Sequence, residues 1–383
     1  MHTPRLRTAI ATLLMTALPM VVAAQAPTPP PATPPPAPAP APAPAPNPAD
    51  TPNIRIGATI YADYTFVQSP EITDADGNTV HSNAFNVGRS YINITGNLSR
   101  IVNFRITPDI SRETGTGSSL NGSLVFRIKY AFMQFNLDDW TGAGSWTRLG
   151  IQQTPIVDFE EGIYRYRFQG TVFPEREGFL TSSDAGASFH ANLPQNYGDV
   201  HVGIYNGEGY SRLEANDTKA FQIRGTLRPL PTHTLWRGLR VHGFWDNDSY
   251  VKHADKKRTM AMVTFEHPQL NAGFDYLAAA DQTSVTMRKR DARGFSFWAT
   301  PRQRATDGWE GLLRVDRIEP DTLADAHRLR TIVGGAYWFP HQGTVSAALL
   351  LDYEQVKLTT RTPATVAPAP TQKRLAVHGL IIF

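Results

Sequence analysis

The chain has 383 residues, no cysteine, and 37 basic against 34 acidic side chains, a formal charge of +3. That near-balance gives no support to nucleic-acid binding. Without thiols there are neither disulfides nor thiolate metal sites. Apolar residues make up 41% and glycine occurs 29 times, which suits segments that alternate between apolar and water-facing positions.

At the N-terminus Arg5 and Arg7 precede an apolar run from Ala9 to Val22, closed by small residues at Ala23, Ala24 and Ala26. This pattern predicts a secretory signal peptide over residues 1–25, cut after Ala24 or Ala26. Its removal takes away two positive charges and leaves +1. Residues 26–52 are a Pro/Ala-rich tract that buries no core and is expected as an extended, disordered linker. At about 3.1 Å per residue it reaches up to roughly 80 Å. It reads as a spacer on the periplasmic side or as a contact with the cell wall. No later stretch approaches the roughly 20 apolar residues of a transmembrane helix. A membrane-spanning form of this chain must therefore use strands, closed so that no backbone group is left unpaired in hydrocarbon.

From 53 to 383 the chain reads as about sixteen segments of about ten residues with period-two apolarity. Clear cases are Ile54 to Tyr64, Leu124 to Phe135, Ala220 to Arg228, Leu239 to Asp246, Arg293 to Thr300 and Val345 to Tyr353. Short connections such as Gly96 to Arg100 and His267 to Gln269 alternate with longer ones. The longer set is Gln68 to Ala84, Ser111 to Asn121, Thr154 to Ser182, Gly209 to Thr218, Asn247 to Lys257 and Thr359 to Thr371. The fold class is thus all-β: a transmembrane antiparallel β-barrel with both ends in the periplasm, placed in the bacterial outer membrane and surrounded by its lipid. Trp140, Trp146, Trp236, Trp298, Trp309 and Trp338 fall near periplasmic strand ends and Trp245 near the outer rim, as interface girdles require.

Where one face is apolar the other carries charge. With Leu124, Phe126, Ile128, Tyr130 and Phe132 toward lipid, Arg127 and Lys129 turn inward. Arg89, Arg224 and Arg240 follow by the same alternation, and Asp63, Asp246, Asp275, Asp352 and Glu354 share the interior. A basic group turned to lipid at mid-depth costs about 2–4 kcal/mol, so the interior is expected to be wet. The loop Thr154 to Ser182 carries Asp158, Glu160, Glu161, Arg165, Arg167 and Arg176, and groups of both signs suit a segment folded into the lumen as its constriction, the alternative being a solvated external loop with no gating role. Lys252, Lys256 and Lys257 read either as a solvated charged face or as a basic patch that captures anions at the mouth. No nucleophile-elbow serine, His-Glu-x-x-His helix or other catalytic or metal-ligating pattern occurs, so neither enzymatic activity nor a cofactor is expected.

The last segment, Lys373 to Phe383, places Leu375, Val377, Gly379, Ile381 and Phe383 on one face and Arg374, Ala376, His378, Leu380 and Ile382 on the other. A terminal aromatic on an apolar strand resembles the address read by the barrel assembly machinery. The phrases AFNVGRSYINITGNLSRIVNFRITPDI (84–110), RLGIQQTPIVDFEEG (148–162) and ASFHANLPQNYGDVHVGIYNGEGY (187–210) resemble the second to seventh strands of the phosphate-selective porin O and P family. The resemblance implies a homotrimer of sixteen-stranded barrels, each narrowed by its third loop and passing small hydrophilic solutes or inorganic anions such as phosphate. It also implies wall arginines, for which Arg89, Arg127, Arg224 and Arg240 are candidates. Arg165 and Arg167 would act in the loop, and Lys252, Lys256 and Lys257 at the mouth. The alternative reading is a non-conducting structural or adhesive barrel tethered toward the cell wall.

Overall fold

The computed structural model describes residues 51–324, 326–360 and 369–383. The expected signal peptide and nearly all of the linker lie outside these residues, as does most of the connection from Thr359 to Thr371. Sixteen strands form one closed antiparallel barrel. Chain order gives β1 Asn53–Ser69, β2 Asn83–Asn97, β3 Val102–Arg112, β4 Leu124–Asn136, β5 Trp146–Gln153, β6 Ser183–Asn192, β7 Gly198–Tyr205 and β8 Ala220–Leu227. The second half comprises β9 Leu239–Val251, β10 Ala254–His267, β11 Leu270–Asp281, β12 Arg290–Pro301, β13 Gly308–Asp321, β14 Ala326–Trp338, β15 Ser346–Thr360 and β16 Gln372–Ile382. Each strand pairs with its sequence neighbours, and closure is made by β1 against β16, with Tyr64 opposite Val377 and Ile60 opposite Ile381. Phe383 extends this seam by exchanging two backbone hydrogen bonds with Ala58, at 2.8 and 3.0 Å. Closure leaves the barrel itself without a sheet edge.

Alternation decides which side chains face out. On β12 the residues Phe295, Phe297 and Ala299 point outward while Ser296, Trp298 and Thr300 are buried inside. Ile56, Phe126, Phe274, Phe297, Leu313, Val333, Leu351 and Val377 are all exposed on the outer wall. A belt of large apolar side chains around a whole barrel is stable against acyl chains rather than water.

Three expectations are corrected. On β4, Tyr130 and Phe132 face the interior, not lipid, because Lys129 has no partner between Thr107 opposite Tyr130 and Pro108 opposite Ile128. This bulge turns Lys129 and Tyr130 inward together and reverses the parity beyond them, so that Met133 and Phe135 take the lipid side. The girdle is also only partial. Trp140, in the short helix α1 (Asp138–Thr141), and Trp236 and Trp309 are exposed near the short-turn rim, but Trp298 and Trp338 are buried inside the barrel. Finally, Asn247 to Lys257 is not a long loop. Asn247, Asp248 and Ser249 pair with Lys257, Lys256 and Asp255, leaving a tight turn at Lys252 and His253, where His253 takes a left-handed φ of 69°.

Candidate functional site: the narrowed lumen

The connection 154–182 between β5 and β6 folds into the barrel and contains the helices α2 (Val157–Tyr164) and α3 (Phe173–Arg176). Its apolar residues explain why. Val157, Tyr164, Phe173 and their neighbours are fully buried against Met262, Leu277, Trp298 and Leu312, which the far wall turns inward. Tyr164 meets Trp298 edge-on at 5.2 Å, and Tyr166 meets Trp338 in the same manner at 6.2 Å. Trp298 and Trp338 thus serve as docking surface for the loop. Desolvating its backbone requires donors, and four loop carbonyls eight residues apart each receive one from the wall. Pro155 accepts from Arg224 at 2.7 Å, Ile163 from Asn271 at 2.9 Å, Thr171 from Arg314 at 2.8 Å and Phe179 from Arg258 at 3.0 Å.

A carboxyl pair adds a pH-dependent clip. Glu160 of α2 lies against Asp275 of β11, both buried, and among the described residues none of their four oxygens has another hydrogen-bond donor. Arg314, Asp316 and Tyr164 are the other charged or titratable groups packed around them. Burial first, and then Asp275, push the Glu160 carboxyl well above the ordinary range. A raised carboxyl value means that docking is strongest below the ordinary Glu value and weakens as pH rises through the raised one. Cleavage of the loop by an added protease should therefore increase toward alkaline pH, and Glu160→Gln should flatten that dependence. An equally steep profile in the variant would remove the pair from loop docking.

Because the loop packs on the far wall, the lumen stays open on the side of β1 to β4 and across the seam to β14–β16. Two cavities lie there, of about 580 and about 170 Å³. Tyr61 of β1 and Arg167 of the loop line both. The larger cavity is lined by Arg89, Arg112, Arg127, Arg167, Arg176, Arg330 and Arg374, with Asp63 and Glu354 as its acids. Two carboxylates are shared between arginines, while Arg330 also reaches Glu177 at 3.5 Å and Asp316 at 3.9 Å. Asp109 serves both Arg89 at 3.3 Å and Arg127 at 2.9 Å. Glu354 serves Arg374 at 2.5 Å, Arg176 at 3.8 Å and also Arg330. The smaller cavity holds Arg105 and Lys129 against Asp158 and Glu161, and Asp158 accepts from the Tyr130 hydroxyl at 2.8 Å. Arg167 lies 2.6 Å from Glu161 and 3.9 Å from Glu175. Burial pushes the Glu161 carboxyl upward against the pull of Arg167 and Lys129. Burial and then the neighbouring Arg314 lower Arg176 to about 10, which leaves it charged at neutral pH.

The sequence candidates separate in space. Asp158, Glu161, Arg167 and Arg176 of the loop and Arg89, Arg127 and Lys129 of the wall line the two cavities. Glu160 is turned into the docking side, and Arg165 caps α2 with its guanidinium over Trp338 at 4.4 Å and 3.6 Å from Glu310. Arg224 is buried under the loop, where it also pairs with Asp199. Arg240 pairs with Glu266 near the short-turn rim, away from both cavities. At the mouth Lys256 pairs with Asp248 and Lys257 with Asp255, each at 2.9 Å, while Lys252 stands exposed on the turn. The alternation that selected Arg89 also reaches Arg105, Arg330 and Arg374, which sequence reasoning passed over as site residues. Tyr61 had no comparable signal, since an aromatic on a strand reads as easily as a girdle residue.

No family model matches this chain, and no curated protein matches it. Solved structures do. An OmpT loop-deletion variant, described as an outer membrane protein of Vibrio cholerae, superposes with a TM-score of 0.58 at 12% identity, covering 87% of this chain and 100% of that one. An anion-selective porin from Comamonas acidovorans gives 0.57 at 10% identity over 87% and 100%. The outer membrane channel DcaP of Acinetobacter baumannii gives 0.56 at 11% over 87% and 98%. At these identities the likeness establishes the fold. With its closed sixteen-stranded wall and its belt of exposed apolar side chains, the chain is a bacterial outer-membrane barrel.

Proposed function

We propose that this barrel is a porin that passes small hydrophilic solutes by diffusion and favours anions. The observation that carries this reading is the pair of cavities beside the inserted loop, the larger lined by seven arginines but only by Asp63 and Glu354 among the acids, with Glu354 and nearby Asp109 each serving more than one arginine. Excess fixed positive charge in a narrow, poorly screened passage raises the local anion concentration and repels cations. Inorganic phosphate is a natural member of that class, because paired guanidiniums match its oxygens in a fork. The solved anion-selective barrel of similar fold supports the reading by analogy. Assembly as a homotrimer belongs to the same proposal, as does recognition by the assembly machinery of the strand ending at Phe383.

Single-channel recording in a potassium chloride gradient tests it. The protein should conduct, with a reversal potential on the anion side, and added phosphate should reduce the chloride current. Steps in groups of three would support the trimer. A folded barrel that carries no current would overturn the porin reading in favour of a structural one. A reversal potential on the cation side would overturn the anion preference.

A further inference from the structure

A second charged cluster lies on the outside of the barrel. Arg293 of β12 and Arg317 of β13 face outward beside Glu319, with Arg293 Nε 2.7 Å from one carboxylate oxygen and Arg317 Nη2 3.1 Å from the other. One carboxylate therefore serves two guanidiniums, and one positive charge is left over. Together with Tyr276 and Phe295 these side chains bound an outward-facing cleft of about 290 Å³.

Its height follows from β13. Trp309 is exposed at the short-turn end, and the outward positions above it are Gly311, Leu313 and Val315, then Arg317 and Glu319. Eight residues of a strand tilted by about 40° rise about 20 Å, and the apolar band of such a barrel is about 25 Å tall. Arg317 and Arg293 thus sit at the upper border of that band, on the side of the long connections. Directly above them the chain adds Arg288, Lys289 and Arg290, against Asp291, Asp321 and Asp255, the last 2.9 Å from Lys289. A surplus guanidinium at the edge of hydrocarbon is stable when an anionic group meets it from the membrane side.

We propose that this cleft binds the phosphate of an outer-leaflet lipid headgroup. The guanidinium forks take the phosphate oxygens, and the Tyr276 and Phe295 rings rest against the adjoining sugar or acyl carbons. This site is independent of the pore, since none of these side chains borders either lumen cavity.

The test uses the full-length protein in detergent, with native mass spectrometry to count bound lipid. The probes are lipid A, its dephosphorylated form and inorganic phosphate. Arg293→Gln with Arg317→Gln is one variant, and the same pair combined with Glu319→Gln removes the carboxylate that the first would strand facing lipid. Retained channel conductance identifies folded protein. Wild type is expected to bind lipid A roughly tenfold more tightly than either variant, the scale of losing charged hydrogen bonds. It should prefer lipid A to the dephosphorylated form, and inorganic phosphate should not displace the lipid. Equal binding by wild type and variants, or indifference to the lipid's phosphates, would overturn the proposal. Displacement by inorganic phosphate would make this a free-anion site instead. Loss of oligomers with lipid binding unchanged would make it a contact between copies of the chain.

Discussion

Arg167→Ala is expected to move the reversal potential of the pore toward cations, whereas Arg165→Ala leaves it in place. The two residues stand two apart on one loop, and composition makes them equivalent. In the folded barrel Arg167 lines both cavities, while Arg165 is held on the docking side by Glu310 and the Trp338 ring. Removing Arg167 also releases Glu161 and Glu175 from their cation, so the local field loses a positive charge and gains unbalanced negative ones. A unit charge at about 4 Å in water-like surroundings is worth about 1 kcal/mol, or roughly a fivefold change in the anion-to-cation permeability ratio. Reversal potentials in a salt gradient read this directly. Equal shifts from both variants would place the narrowing elsewhere on the loop.

Phe173→Ala should free the loop without unfolding the barrel. Phe173 is fully buried, and its ring tip reaches the wall at Gly294, where a β-carbon would stand 2.9 Å away. A Phe-to-Ala cavity costs about 3–5 kcal/mol. Here that loss falls on the docking of a connection, because the strand ladder closes through β1 and β16 without it. Single-channel records should show a larger and noisier open level, and heating should dissociate the strands at a nearly unchanged temperature. A quiet channel of wild-type conductance would mean that the four carbonyl anchors hold the loop by themselves.

Much of the architecture is legible in the amino-acid sequence. Period-two apolarity over 53–383 is a local property of each strand, and the absence of any apolar run long enough for a helix left closure as the only way to satisfy the backbone in lipid. The count of sixteen, the inward turn of Arg89 and Arg127, and the insertion of the long charged loop all follow from patterns within single segments. Alternation fails where one residue is added: Lys129 at the bulge sends Tyr130 and Phe132 inside, and no composition signal marks the extra residue. Trp298 and Trp338 likewise carry the same signature as girdle residues, and only the neighbour they meet distinguishes loop docking from lipid contact.

The candidate site divides along the same line. The sequence by itself determined that charge of both signs enters the lumen, because burying it in lipid is too costly. Which of those charges border the passage was decided by tertiary structure alone. The loop lies against β9 to β16 through Tyr164, Phe173 and their partners, covering Arg224 of β8 and turning Glu160 and Arg165 away, while Arg167 and Arg176 remain on the open cavity, Arg176 beside Glu354 of β15. Long-range packing fixes that choice, since it depends on which wall offers the loop an apolar surface and donors for its carbonyls, a property spread over strands more than a hundred residues apart.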